Sequence, residues 1–125
     1  MANHKSKMPS QRQLRVGEQI KHILAQSMQR GNFYHDDIDA ARITITEVRP
    51  SPDLRNATAF IIVADGDTAA AVDALNAQRS IFQKEIASQS TTKFTPKVVF
   101  KEDYAFAQAG RIEDLLNDIT YSDQE

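Results

Sequence analysis

Apolar residues recur along the chain with two different periods, and the switches between them mark out its elements. From Ser10 to about Arg30 the period is that of a helix. Val16, Ile20, Ile23, Leu24 and Ser27 share one side, with Met28 at its margin, and Arg15, Glu18, His22 and Gln29 lie opposite. Ser10 suits the N-cap, and Gly31-Asn32 ends the helix because both residues tolerate a left-handed cap. Phe33 to Ala41 reads as a connecting loop that carries Asp36, Asp37 and Asp39. From Arg42 to Val48 the period falls to two, with Ile43 and Ile45 inward and Thr44 and Thr46 outward, as in a half-buried strand. Pro50-Ser51-Pro52-Asp53 stops it, since proline has no N–H for the ladder. A hairpin leads to a second strand, Ala57 to Ala64. Its run Phe60-Ile61-Ile62-Val63 suits a central strand covered on both faces.

After Asp65-Gly66-Asp67 turns the chain, Asp67 or Thr68 caps a short alanine-rich helix through Asn76, with Val72 and Leu75 inward. A further helix, about Gln78 to Ala87, presents Ile81, Phe82 and Ile86, and Ser88 to Thr92 is a polar loop. Lys97 to Asp103 forms a third strand with Pro96 at its start and Val98, Val99 and Phe100 at its centre. A last helix, roughly Gln108 to Ile119, carries Ile112, Leu115, Leu116 and Ile119 at helical spacing. The order α-β-β-α-α-β-α predicts a two-layer α+β domain over residues 10–119. Its helices cover one face of a three-stranded sheet, and the other face is partly open. Polar tails, 1–9 and 120–125, flank it.

Composition then narrows the chemistry. At 125 residues with 41% hydrophobic and 26% charged side chains, the chain fits one soluble domain with its own core. It has no cysteine, which removes disulfides, thiolate metal sites and cysteine nucleophiles. Gly17, Gly31, Gly66 and Gly110 are too far apart for a phosphate-cradling loop. There is no Gly-x-Ser-x-Gly elbow. His4, His22 and His35 are scattered, and His35 beside Asp36 and Asp37 lacks a second ligand cluster that would make a metal site. The expectation is a non-enzyme with no cofactor and no metal. No apolar run reaches membrane-spanning length, and the polar, basic start does not resemble a signal peptide, so a cytoplasmic protein with no membrane partner is expected.

The net charge of −2 conceals an uneven distribution. Residues 1–30 carry six Lys/Arg and one acid, 31–78 three and eight, 79–101 five and one, and 102–125 one and seven. The first basic block places Arg12, Arg15, Lys21 and His22 on or near the outer surface of the first helix, after Lys5 and Lys7. The second comprises Arg79, Lys84, Lys93, Lys97 and Lys101. Clustered Lys and Arg neutralise phosphates and release counterions, which favours nucleic acid. Phe60 and Phe100 read as core, and no pair of aromatics forms a base-stacking platform.

Several segments together resemble the ribosome-binding factor A family. Ile43-Thr-Ile-Thr-Glu-Val48 followed by Ser51-Pro-Asp-Leu-Arg-Asn-Ala57 resembles its strand–turn–strand signature. Leu75-Asn76, Phe94-Thr-Pro-Lys-Val-Val-Phe100, Asp103 and Arg111-Ile-Glu-Asp-Leu-Leu116 follow in the family's order, after Arg15-Val16 with Glu18 and Ile20. The resemblance implies a type II KH-like fold. It also implies a monomeric, non-catalytic RNA-binding assembly factor that binds the free small (30S) ribosomal subunit and 16S rRNA. Such a factor assists late maturation and 5′-end processing, most importantly in the cold. Where the family has a helix kink of Ala-x-Gly type, this chain has Gln78-Arg79-Ser80, which makes Arg79, Ser80 and Lys84 the third-helix contacts. The expected RNA surface joins the first helix to the Arg79–Lys101 region. The competing reading is a protein-interaction module that meets a basic ribosomal protein through the acidic segments or the open sheet.

Overall fold

The first helix begins where the sequence supplies a cap. In the computed structural model, which describes residues 8–64, 66–90 and 93–109, helix α1 spans Gln11–Gln29. The Ser10 hydroxyl accepts the Gln13 N–H, and the Gln13 side chain accepts the Ser10 N–H in return, a reciprocal capping box. Gly31, at φ +80°, turns the chain out of the helix. The following loop is not merely a connector. It sends Phe33 into the core, and a single 3-10 turn, Ala40–Arg42, leads into the sheet.

The sheet has three strands, β1 (Ile43–Pro50), β2 (Asn56–Val63) and β3 (Lys97–Glu102), in the order β1-β2-β3. β1 and β2 pair antiparallel, and β2 and β3 pair parallel. Alternation in β1 does not run straight through. Ile45 pairs with Ile61 but Glu47 pairs with Phe60, so Thr46 is an extra residue, a β-bulge. The bulge moves the inward positions from Ile43 and Ile45 to Val48 and Pro50. The strand therefore runs through Pro50, two residues beyond Val48. An edge strand tolerates a proline whose missing N–H would face outward.

Helices α2 (Thr68–Ala77) and α3 (Arg79–Gln89) complete the helical layer. Asp67 caps α2 by accepting the Ala70 N–H. The core lies between this layer and one sheet face. Ile20, Leu24, Ile61, Leu75, Phe82, Ile86, Val98 and Phe100 are essentially inaccessible there. Fully burying a side chain of this size contributes roughly 1.5–3 kcal/mol. Phe33, Phe82 and Phe100 form a row through it, with ring centroids 6.4 and 5.3 Å apart.

Among the described residues, α1, α2 and α3 lie on one face of β2. On the other face Phe60 and Ile62 are half-buried, and Phe60 lines a shallow pocket with Tyr104, Ala105 and Phe106 of the helical residues after β3. Residues 104–109 are helical, and Asp103 starts them by accepting the Phe106 N–H. That start precedes the expected Gln108, because Asp103 serves as a cap and β3 ends at Glu102. Most of the expected last helix, and most of the two tails, lie outside the described residues.

Candidate nucleic-acid interface

The basic residues of α1 divide according to what the helix packs against. One flank lies on the edge strand β1. Gln13 donates to the Pro50 carbonyl at 3.0 Å, and Lys21 donates to the Thr46 carbonyl at 3.3 Å, at the bulge. Between them Gly17 approaches so closely that an added Cβ would stand 2.5 Å from the Val48 carbonyl oxygen. The opposite flank meets α3. Gln19 donates to the Gln89 carbonyl, and Arg30 and Asn32 reach Glu85. Arg12, Arg15 and His22 are exposed on the outward side towards α3, at positions three and seven apart that stay near one another on a helix. Lys21 is half-buried on the β1 flank instead, so it does not belong to the outer surface expected of it.

α2 and α3 are separated by one residue. Gln78 closes α2 and precedes α3 with φ −107° and ψ 16°, so the chain breaks between the helices at this point. The Gln78 amide donates to the Tyr34 carbonyl at 2.7 Å, which ties the break to the loop after α1. Arg79 and Ser80 open α3 and are exposed, as is Lys84 one turn after Ser80. Phe82 and Ile86 face the core, which directs Ser80 and Lys84 outward on the side that α1 shares.

At the far end of the sheet another basic group converges. Ser51, after β1, donates its N–H to the Asn56 carbonyl, and Lys97, opening β3, donates its N–H to the Arg55 carbonyl. With Gln13 bonded to Pro50, these contacts bring the start of α1, the 51–55 turn and the start of β3 to the same end. The turn is closely determined. Asp53 accepts from the Ser51 hydroxyl at 2.6 Å and from the Arg55 N–H at 3.1 Å, and Leu54 takes a left-handed φ of 61° that buries its side chain. The Ser51 hydroxyl, more than the Arg55 N–H and the Arg55 charge, holds the Asp53 carboxyl below its ordinary value. Arg55 then projects over Phe94, its guanidinium 5.0 Å from the ring centroid, and the Lys93 ammonium is 5.5 Å from the same ring.

Lys97, Val99 and Lys101 alternate with the buried Val98 and Phe100, so they face away from the helices. Lys101 pairs in register with Phe60, which has the Arg49 guanidinium 5.3 Å above its ring. Phe100 is core, as its sequence context suggests, whereas Phe60 belongs to the open face. The expected single surface is therefore corrected in three respects: Lys21 sits on the β1 flank, and Lys97 and Lys101 are on the opposite face of the sheet. Arg12, Arg15, His22, Ser80 and Lys84 share the outer helical side, and Arg55 and Lys93 lie at the end of the sheet where α1 begins. Arg79 stands at the other end, beside the acidic loop that holds Tyr34 and Asp36.

That other end is acidic. Asp37, Asp39, Asp67 and Asp73 line a groove of about 770 Å³ with His35 and Arg42. His35 uses Nδ1 to accept the Asp37 N–H, and among the described residues no group of three or more His, Cys, Asp or Glu could hold a metal ion. No described helix is long and apolar enough to cross a membrane. The contact of Arg55 with Phe94 is not among the sequence-based expectations. The available signal was Leu54, an apolar side chain in a polar turn, which forces its neighbour outward.

Comparison with known proteins agrees with this architecture. The profile of the ribosome-binding factor A family matches residues 12–116. The ribosome-binding factor A of Paramagnetospirillum magneticum is 42% identical over 113 residues, which is 90% of this chain and 80% of that one. The crystal structure of ribosome-binding factor A from Thermus thermophilus superposes with a TM-score of 0.60 at 18% identity, covering 72% of this chain and 94% of that one. A homology model of the Thermus thermophilus factor, fitted into a cryo-EM map of a complex with the 30S subunit, superposes with a TM-score of 0.54 at 20% identity, covering 70% and 91%. The fold is the KH-like α+β fold of those structures. With the profile spanning nearly the whole described domain, the chain belongs to the ribosome-binding factor A family.

Proposed function

We propose that the protein is a ribosome assembly factor. In this reading it binds the free small ribosomal subunit through 16S rRNA and assists late maturation, including processing of the 5′ end, without itself breaking a bond. Membership of the family over residues 12–116 is the observation that carries the reading. The outer helical surface supports it with the charge that a phosphate backbone requires: Arg12, Arg15, His22 and Lys84, with Arg55 and Lys93 at the end where α1 begins. Glu18 and Glu85 are the acids on or beside that surface and limit its potential.

The mechanism is differential binding. The protein favours one arrangement of immature rRNA and thereby delays premature subunit joining, and a ligand can shift such a population only by its difference in affinity for the two states. Acting as a monomer in the cytoplasm, it needs neither cofactor nor nucleotide. Arg79, at the helix break, forms a separate contact at the start of α3, and Ser80 adjoins the outer surface beside Lys84.

Sedimentation of native extract tests the proposal. The protein should travel with free small subunits and be depleted from joined ribosomes. Equal distribution between them contradicts it. The acidic groove lined by Asp37, Asp39, Asp67 and Asp73 favours a second reading, in which a basic ribosomal protein docks there. Little affinity for protein-free 16S rRNA at any salt concentration, together with retained subunit binding, would select that reading.

A further inference from the structure

The two edges of the sheet are treated differently. On β3, Lys97 and Asp103 donate their N–H groups towards β2, so Val98 and Phe100 turn their peptide groups outward. Two side-chain amides meet them there. Asn76 accepts the Phe100 N–H at 2.8 Å and donates to the Phe100 carbonyl at 3.0 Å. Gln83 accepts the Val98 N–H at 3.1 Å and donates to the Pro96 carbonyl at 2.7 Å. An edge closed in this way is not a template for a further strand.

On β1, helix α1 closes only part of the edge. Gln13 donates to the Pro50 carbonyl, Gly17 abuts the Val48 carbonyl, and Lys21 donates to the Thr46 carbonyl. The cover stops there. The Arg42 carbonyl accepts the Ala64 N–H, so pairing with β2 falls on Arg42 and Thr44 and leaves the peptide groups of Ile43 and Ile45 pointing away from it. The Ile43 N–H returns to the Ala40 carbonyl. The Ile43 carbonyl and both peptide groups of Ile45 therefore stand at an open edge. Among the described residues, no side chain bonds to them as Asn76 and Gln83 do on β3. A groove of about 510 Å³ lies beside this stretch. Ala25 and Met28 of α1 line it opposite Ala40, Ile43 and Ile45, and Lys21 is the one charged side chain in its lining.

These features together specify one kind of occupant. Outward N–H and C=O groups on a strand match another peptide backbone, a pattern that RNA does not offer. Successive side chains of an added strand point to opposite faces, so one of them turns towards α1 and enters the apolar groove. A cation with no acid in the lining beside it matches a carboxylate on the same segment. We propose that the Ile43–Ile45 edge is a docking site for an extended protein segment, which adds as a fourth strand, seats an apolar side chain in the groove and places a neighbouring Asp or Glu at Lys21. The site lies on the β1 flank of α1, whereas the proposed rRNA surface faces α3, so the two partners do not compete.

The experiment selects peptides from a displayed library of random ten-residue sequences, with the full chain as bait. Selected peptides should alternate apolar residues and carry an Asp or Glu. A synthetic copy should slow amide exchange at Ile45. N-methylation of every second peptide group should abolish binding in one register and spare it in the other, because only alternate N–H groups of an added strand face β1. Ala25→Leu fills the groove from an exposed position and should weaken binding about 10- to 150-fold, the worth of burying one apolar side chain. Lys21→Gln should weaken the acidic peptide about two- to fivefold and leave its Asn or Gln analogue unchanged. Circular dichroism confirms that each variant is folded. A selection that yields no peptide slowing Ile45 exchange overturns the proposal, as does a peptide indifferent to N-methylation in both registers. Slow Ile45 exchange in the protein alone also overturns it. If that protection grows with protein concentration, the occupant is a second copy, and if it does not, another part of this chain.

Discussion

Gly17 marks the closest approach of α1 to the edge strand, and its missing side chain is what permits it. A Cβ there would meet the Val48 carbonyl oxygen at 2.5 Å and Pro50 Cδ at 3.1 Å. Because the first obstacle is backbone, Gly17→Ala should destabilise the fold by about 1–3 kcal/mol, measured as a lower denaturation midpoint. Asp53 offers a pH test of the neighbouring turn. Its carboxyl is held below 3.8, chiefly by the Ser51 hydroxyl, so its contribution is complete above that value and is lost as pH falls through the lower folded-state value. The stability difference between wild type and Asp53→Asn should therefore shrink as pH falls below 3.8. A difference that persists unchanged in strong acid would show that the carboxylate is not the source. Neither residue announces its role in the sequence. Gly17 sits within a helical period that any small residue would satisfy, and the use of Leu54 depends on a positive φ that no local preference predicts.

Elements were more legible than their junctions. The 3.6-residue period located α1 to within a residue at each end, because Ser10 caps its start and Gly31, just after the Arg30 C-cap, turns the chain out of it. Period-two alternation found β1 but not its bulge at Thr46, since the parity change appears only when Ile45 and Glu47 are matched to β2. The bulge connects elements that are distant in sequence. The Thr46 hydroxyl donates to the Asp103 carboxylate, and Asp103 also caps the helical residues 104–109. Asp103→Ala removes both roles and should cost about 1–2 kcal/mol, with loss of helical signal in amide-exchange protection of residues 106 and 107. Phe82 fills the space between Phe33 and Phe100. Phe82→Ala should cost about 3–5 kcal/mol in denaturant unfolding, close to the total stability of many small domains.

At the scale of the molecule, the near-neutral net charge hides a separation of charge along the domain. Arg12, Arg15, Arg55, Lys93 and Lys97 gather at one end, while Asp37, Asp39, Asp67 and Asp73 gather at the other. The alternating charge blocks of the sequence pointed to such a separation but not to its geometry. Lys101 goes to the opposite sheet face because strand alternation decides its direction, and Lys21 goes to the edge strand because the bulge offers it a carbonyl. The central claim is that the outer helical surface meets phosphates of the small subunit. It is tested most directly by the salt dependence of binding to purified free small subunits, comparing wild type with Arg12→Gln/Arg15→Gln/Lys84→Gln. The wild-type affinity should fall linearly with the logarithm of salt concentration. The triple variant should bind more weakly, with a slope lower by about two to three, because each lost phosphate contact removes roughly 0.7–0.9. An unchanged affinity and slope in the triple variant would contradict the account.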